Sequence, residues 1–403
     1  MSSLADLTYW LEAEERPSNT WYIKRLAGND TLANEAHQAG PYIPRDLIFQ
    51  FFPSINRPDQ ENPDKWFDLT IDSHSDARRV RVIWYNNKVR GGTRNETRIT
   101  NLGGAASALL NSESTGSIAV FSFHRDSDGE TIECRVWVCS TPAEEEIIED
   151  KIGAIEPGQT RVWGVQADIV MPERTNCWLD SKELPAAWLT EFPSGKDLIH
   201  LSMALKKWRG LSIDERLISR RDCEFELFRS VEHAFELKNI EKGFSSVDEF
   251  IRRAQTILQR RKSRSGRSLE LHAREIFLEE GLREGQDFQY QPETENGERP
   301  DFIFPSETNY KDPSFPNYRL FMLGVKTTVK DRWAQILKEA NRIESKHLLT
   351  LQEGISQGQF NSITEAKVKL VVPSGLVSAY HPDIRPHLMS LERFIAQVKA
   401  LNQ

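Results

Sequence analysis

Asp301, Lys326 and Glu339 are the residues in this chain best suited by type and setting to phosphodiester chemistry. Asp301 closes Arg299-Pro300-Asp301, just ahead of the apolar run Phe302-Ile303-Phe304. Lys326 ends a second run, Leu320-Phe321-Met322-Leu323-Gly324-Val325. Both runs read as buried strands, and a hairpin between them would set Asp301 beside Lys326. Beyond Lys326, Trp333, Ile336, Leu337, Ala340 and Ile343 recur at helical spacing, which predicts a helix carrying Arg332, Gln335 and Glu339 on another face. Two carboxylates can hold a hard cation such as Mg2+. A metal there lowers the pKa of a bound water, and a lysine beside it orients the attacking water and offsets negative charge. The plainer reading is a strand-end Asp, an exposed Lys and a solvated helix Glu. A Pro-Asp pair alone does not decide between them.

The flanking elements sort into two halves. Short runs rich in β-branched and aromatic residues fill residues 1–170, among them Trp21-Tyr22-Ile23, residues 80–85, 118–123 and 134–139. Turns such as Gly91-Gly92 and Asp126-Ser127-Asp128-Gly129 separate them, as in a barrel or sandwich. A helix is expected between Pro44 and Pro53. Another should follow Thr141-Pro142, with Thr141 as cap and Glu144–Glu146 at its positive end. Arg78–Arg98 holds seven Lys or Arg residues against the single acid Glu96. Arg94, Asn95, Glu96 and Arg98 in that stretch have the side chains that pair with guanine, adenine and cytosine edges, although a solvated charged turn would look the same.

Residues 171–195 read as a linker, and from 196 the pattern is helical. Phe225, Phe228, Val231 and Phe235 form one stripe, and Val247, Phe250, Ile251, Ala254 and Leu258 another. A further helix is expected to start at Ser268 and stop near Gly281. Glu270 is the lone acid among eight Lys or Arg residues between Arg252 and Arg274, so it is either a salt-bridge partner or a further metal or metal-water ligand. Residues 368–372 should form a strand, followed by a helix burying Leu391, Phe394, Ile395 and Val398. His200, His233 and His347 read as structural residues on helical stretches.

With 403 residues and 38% apolar content, two cored domains are expected. The net charge of -8 argues against a protein that is basic overall, not against local DNA binding. No apolar run is long enough to span a bilayer and no N-terminal signal is evident, so a soluble intracellular protein is expected. Cys134, Cys139, Cys177 and Cys223 lack metal-site spacing and are expected as reduced, packed thiols. No phosphate loop of the nucleotide-driven kind is present.

Along nearly its whole length the chain resembles the EcoRII-type restriction endonucleases. The likeness is close at residues 21–26, 53–56, 93–96, 243–251 and 261–264, and strongest from Val325-Lys326-Thr327-Thr328 through Lys330-Asp331-Arg332-Trp333 to Gln335-Ile336-Leu337. The resemblance implies an N-terminal β-rich DNA-binding pseudobarrel, acting as effector and autoinhibitor over residues 1–170. It also implies a C-terminal α/β nuclease core of the PD-(D/E)XK class over residues 196–403. It implies a homodimer with no membrane association that uses Mg2+ to cut duplex DNA ahead of the first C of CCWGG and needs two copies of the site.

Carried over by position, Asp301 and Glu339 would hold metal, with Lys326, Glu270 and Tyr310 in the active site. Lys330, Asp331 and Arg332 would read C·G pairs, and Lys262 and Arg264 would contact DNA. Lys24, His37, Tyr42, Arg94, Asn95, Glu96 and Arg98 would contact effector DNA. Gly324 departs from the acid that many nucleases of the wider class have two residues before the lysine. Gly92 and Thr97 stand where the family's namesake has lysines. The competing readings are a DNA-binding regulator with a degenerate nuclease domain, against which the intact Asp, Lys and Glu set speaks, and a structure-specific repair nuclease.

Overall fold

The structure, a computed structural model, describes residues 3–35, 39–164, 175–206, 208–330 and 332–401. In the N-terminal half the elements run α1 (Leu4–Glu14), β1 (Asn19–Arg25), α2 (Arg45–Phe51), β2 (Asp64–Ile71), β3 (Asp76–Tyr85), β4 (Glu96–Thr100), β5 (Ile118–Arg125), β6 (Thr131–Val138), α3 (Pro142–Ile152) and β7 (Thr160–Gly164). Among the described residues these strands make one sheet in the order β4-β3-β2-β6-β5-β1-β7, antiparallel except for the parallel β2–β6 pair. Strand β5 shows why both faces are covered. Ala119, Phe121 and Phe123 join a core with Tyr22, Leu47, Phe51 and Phe67, while Ile118 and Val120 face α1 and α3 with Trp10, Trp21 and Ile148. Helix α3 starts as its sequence predicts. Thr141 Oγ1 accepts from the Glu144 amide, and Glu144 Oε2 accepts from the Thr141 amide.

In the C-terminal half come α4 (Gly195–Leu205), α5 (Ile213–Lys242), α6 (Val247–Glu279), β8 (Gln289–Tyr290), β9 (Phe302–Phe304), α7 (Glu307–Lys311), β10 (Phe321–Val325), β11 (Lys346–Leu349), α8 (Gln357–Glu365), β12 (Val368–Val371) and α9 (Leu391–Leu401). The sheet order is β12-β11-β10-β9-β8. The β9–β10 pair is antiparallel, as the hairpin reading expects, and β10, β11 and β12 are parallel. One face packs on α5, α6 and α9, with Leu391, Phe394, Ile395 and Val398 inside as expected. The other packs on α8 and the turns around Ile336 and Tyr380.

Four expectations need correction. Glu339 is not on a helix: Trp333–Lys338 is a single short 3-10 stretch, Glu339 is extended, and Ala340 takes φ +49°. The apolar stripe is real, since Ile336, Ala340 and Ile343 are buried, but a turn delivers it because the chain must reach β11 by Lys346. Ser268 caps nothing. Helix α6 passes straight through it, and its hydroxyl donates to Glu224 Oε2 at 2.9 Å. His347 lies on strand β11 and not on a helix, where Phe321 and Phe394 pack against its ring, whereas the stripe at the start of α6 is helical as expected, with Val247 73% and Phe250 53% exposed.

The cysteines also divide differently from the expectation. Cys134 and Cys139 are free and buried, but Cys177 and Cys223 are joined in a disulfide. It ties part of the expected linker to α5. Within that stretch, 171–174 lie outside the described residues. From Thr175 the chain packs on α5, with the Thr175 and Cys177 amides donating to Glu226 and Leu184 buried beside Leu227. The bridge spans 46 residues of sequence, so the chain-entropy argument gives it at most about 4 kcal/mol. Unfolding of a Cys223→Ala variant should show a loss of up to that size. Thiol titration of denatured, unreduced protein should count two free thiols; a count of four would refute the bridge.

Candidate active site and nucleic-acid interface

The register of β9 on β10 pairs Phe302 with Leu323, so Asp301 falls opposite Gly324 at the end of the strand pair. The Val325 amide donates to Asp301 Oδ2 at 2.6 Å, and Lys326 Nζ stands 3.7 Å from the same oxygen. Asp301 is buried, and burial raises its pKa against the pull of Lys326 and that amide. Gly324 has a steric reason: a Cβ there would meet Ile336 Cγ2 at 2.8 Å. An acid at that position would collide with the turn leading to Glu339.

Glu270 comes from the middle of α6, where it is buried, and accepts from Tyr290 Oη at 3.0 Å and Gln291 Nε2 at 3.1 Å. Burial, then the neighbouring Asp301, push its pKa up to about 7. The same two causes, in the same order, push Glu339 up to about 7, with Lys326 opposing. Glu339 Oε2 is buried and has no hydrogen-bond partner. Tyr310 points elsewhere, donating its hydroxyl to Glu295 at 2.6 and 2.7 Å.

Among the described residues no three His, Cys, Asp or Glu side chains stand as a ready metal cage. The residues nevertheless fit a cation: hard oxygen donors, one of them orphaned, in a surplus of carboxyls over the one lysine. Asp301 and Glu339 could hold such an ion directly, with Glu270 nearby.

The other sequence-identified residues fall in two places. Lys330 Nζ donates to Ser117 Oγ, Lys262 pairs with Asp150, Arg332 lies 4.0 Å from Glu149, and Arg264 is buried between Glu224 (2.7 Å) and Glu156 (3.1 Å). All four therefore touch α3 or its neighbours in the N-terminal half. Asp331 lies outside the described residues. Sequence reasoning gave α3 a cap but missed its role, although Glu145, Glu149, Asp150 and Glu156 make a visible acidic run. It also missed Gln352, buried, which accepts from the Val329 and Lys330 amides at 2.7 and 3.1 Å and so shapes the loop after Lys326. Nothing in a lone Gln signals that.

The N-terminal half carries a cleft of about 950 Å³ lined by Asp30, Tyr42, Tyr85, Glu96, Arg98 and the 99–104 backbone. Arg94 stacks on Tyr85 at 4.0 Å, and Glu96 accepts from Arg94 (2.7 Å) and Arg98 (2.9 Å), which hold its carboxylate below the usual range. Asn95 Oδ1 accepts from Trp84 Nε1 at 2.8 Å. Tyr42 is 60% exposed at the rim. Lys24 is buried, 2.6 Å from Asp30, and braces the Tyr42 carbonyl at 3.4 Å. His37 lies outside the described residues.

Two family models match the chain: "Restriction endonuclease EcoRII, N-terminal" at residues 15–167 and "EcoRII C terminal" at residues 228–395. The type II restriction enzyme EcoRII of Escherichia coli is 42% identical over 384 residues, covering 94% of each chain. Among solved structures, metal-depleted Ecl18kI with uncleaved, modified DNA is 19% identical, covers 53% of this chain and 79% of that one, and has a TM-score of 0.43. The B3 domain of UbaLAI restriction endonuclease with cognate DNA is 20% identical, covers 39% and 98%, and has a TM-score of 0.27.

The raised carboxyls make a prediction about stability. From their usual 4.5 to about 7, Glu270 and Glu339 bind protons more tightly folded than unfolded. Their stabilisation is therefore complete below pH 4.5 and lost as pH rises through 7. At pH 8 in EDTA, Glu339→Gln should raise stability by roughly 1–3 kcal/mol. An unchanged or lower melting temperature would show that the carboxyl is not crowded.

Proposed function

The chain belongs to the EcoRII family of type II restriction enzymes and is a site-specific deoxyribonuclease, and from that premise we propose that it cuts duplex DNA at a CCWGG-like sequence, using Mg2+, under control of a second copy bound by its N-terminal half. Within its two-domain fold we assign the effector half to residues 1–170 and a PD-(D/E)XK-type catalytic core to 196–403.

The observation that carries the chemistry is the surplus of carboxyl around Lys326, with Asp301 and Glu270 buried and Glu339 half-buried with a buried, unpartnered Oε2. Asp301 and Glu339 would hold Mg2+, which supplies Lewis acidity at the attacked phosphodiester. Lys326, 3.7 Å from Asp301, donates toward the attacking water and offsets charge on the phosphate as the bond forms. Glu270, fixed by Tyr290 and Gln291, would support the site through a water or the metal. Lys330, Asp331 and Arg332, a few residues on, would read base edges, so recognition and chemistry share one loop. Cutting both strands needs two such sites, hence a homodimer.

Control by the N-terminal half has its own support. Lys330, Arg332, Lys262 and Arg264 are all occupied by Ser117, Glu149, Asp150 and Glu156. Helix α3 thus supplies acid where a DNA backbone would, and effector DNA in the Tyr42–Arg98 cleft would favour its release. Glu96, Arg94, Asn95 and Arg98 are the proposed reading side chains there, with Tyr42 at the rim and Lys24 bracing it; His37 is assigned to the same task from its sequence position alone.

Incubation of a plasmid carrying several CCWGG sites, followed by end sequencing, should give cuts ahead of the first C with Mg2+ and none with EDTA. Lys326→Ala should abolish cutting while sparing site-specific binding; a cutting variant would sink the assignment. Removing residues 1–170 should raise cleavage of single-site DNA, and Asp150→Lys should raise it by a smaller, few-fold factor, since exposed pairs carry about 1 kcal/mol or less. A truncated enzyme no faster than the whole chain would argue against autoinhibition.

A further inference from the structure

Glu339 has no helical ladder to aim it. It is an extended residue, φ -83° and ψ 144°, between a short 3-10 turn and Ala340 at φ +49°. A carboxylate on such a turn keeps one direction only if groups outside the turn hold it.

Two charged side chains from other elements bind the backbone of this turn, with Arg342 anchoring its end. Glu295, in the connection between β8 and β9, accepts from the Asn341 amide at 3.3 Å while taking the Tyr310 hydroxyl. Lys346, the first residue of β11, is 6% exposed and donates to the carbonyls of Ile343 (2.8 Å) and Ala340 (3.5 Å). Arg342 donates to the carbonyls of Tyr310, Asp312 and Phe315 and to Asn317 Oδ1. Among the described residues Lys346 has no carboxylate within 4 Å, and the charges that reach it are Glu339 and Glu295. Burying an ammonium without a close ion pair is costly, and two backbone carbonyls offset only part of that cost. Its placement against this one turn points to a use there.

We propose that Glu295 and Lys346 are positioning residues for cleavage, clamping the 339–343 turn so that the Glu339 carboxylate stays directed at the space it shares with Asp301. The inference rests on the reading of Glu339 as a metal-holding residue. It also gives Tyr310 a different part from the one its sequence position implies. Its hydroxyl is engaged by Glu295 and by the Arg342 amide at 3.4 Å, so it acts through the turn and not on the substrate.

The test uses the full-length protein with a duplex that it cuts. Three variants, Glu295→Gln, Lys346→Met and Tyr310→Phe, are compared by calorimetric Ca2+ titration of the protein–DNA complex, by the Mg2+ concentration for half-maximal cleavage, and by thermal melting. The first two should weaken Ca2+ binding and raise the Mg2+ requirement about 10- to 100-fold, the usual range for groups that orient a ligand. The rate at saturating Mg2+ should fall much less. Tyr310→Phe should shift both in the same direction by a smaller factor, and it carries the test if either of the others melts below the assay temperature. Unchanged Ca2+ affinity and Mg2+ requirement in folded variants would overturn the proposal. Glu339→Ala separates the two levels: if it is silent, the reading of the site itself fails, whereas an inactive Glu339→Ala with silent clamp variants removes only the clamp.

Discussion

Like charge held at close quarters is the constraint from which the catalytic half is built. Asp301, Glu270 and Glu339 crowd one end of the β9–β10 pair with Lys326 as the cation among them. Each pKa unit of displacement corresponds to about 1.4 kcal/mol, so two carboxyls raised from 4.5 to about 7 represent up to about 3 kcal/mol apiece of unfavourable charge at high pH. Apolar burial on both faces of the sheet sustains it. Phe302, Phe304, Leu323 and Val325 lie on one side, and Ile303, Met322 and Ile336 on the other. The polar restraints are local: an amide for Asp301, a phenol and an amide side chain for Glu270, and a clamped turn for Glu339.

Between the halves, opposite charge does the corresponding work. Two kinds of ion pair meet there. Arg221 and Arg264 close on Glu156 and Glu224 in full burial, where desolvation cancels much of the attraction and the network chiefly fixes register. Lys262 with Asp150 and Arg332 with Glu149 are more exposed and individually weak. The buried set locates the segment after α3 against α5 and α6. The exposed set covers the side chains proposed to meet DNA, where phosphates can compete on favourable terms.

Strands β1, β3, β5, β6, β9, β10 and β12 were legible because apolar runs bounded by Pro, Gly and charged residues have few other solutions, whereas the four-residue β11 was not. Asp301 beside Lys326 followed from one hairpin. Glu339 was found by type and spacing but placed on the wrong element, because the 333–343 stripe fits a helix and a buried turn equally well, and only the short distance to β11 and Ala340 at φ +49° decide. Ser268 misled for the opposite reason: Arg264, Gly266 and Ser268 look like a break, yet Glu224 on α5 satisfies both Arg264 and Ser268 and lets α6 continue. The Cys177–Cys223 bridge joins residues 46 apart with no motif between them. The partners of Lys330, Lys262 and Arg264 in the N-terminal half lie more than 100 residues away, and no local pattern announces a contact of that range.

The loop from Lys326 to Arg332 is where these constraints meet. Gln352 holds the Val329 and Lys330 amides, and Gly116, at φ +88°, packs so closely that a Cβ on it would stand 2.9 Å from Gln352 Nε2. Next to it, Ser117 takes the Lys330 ammonium. A few residues away the Gly28 amide donates to Glu353 O at 2.5 Å. The N-terminal half therefore presses on the loop that follows Lys326 as well as on the side chains around it. On the proposed reading, a hundredfold restraint of cleavage requires the closed arrangement to be favoured by about 2.7 kcal/mol. Three or four exposed ion pairs and hydrogen bonds at 0.5–1 kcal/mol each supply about that much. A much stronger latch would leave effector DNA unable to shift the balance, since a ligand moves an equilibrium only by its differential affinity for the two states. Modest, exposed contacts over the loop, with register kept by the buried arginines, are what such a switch requires.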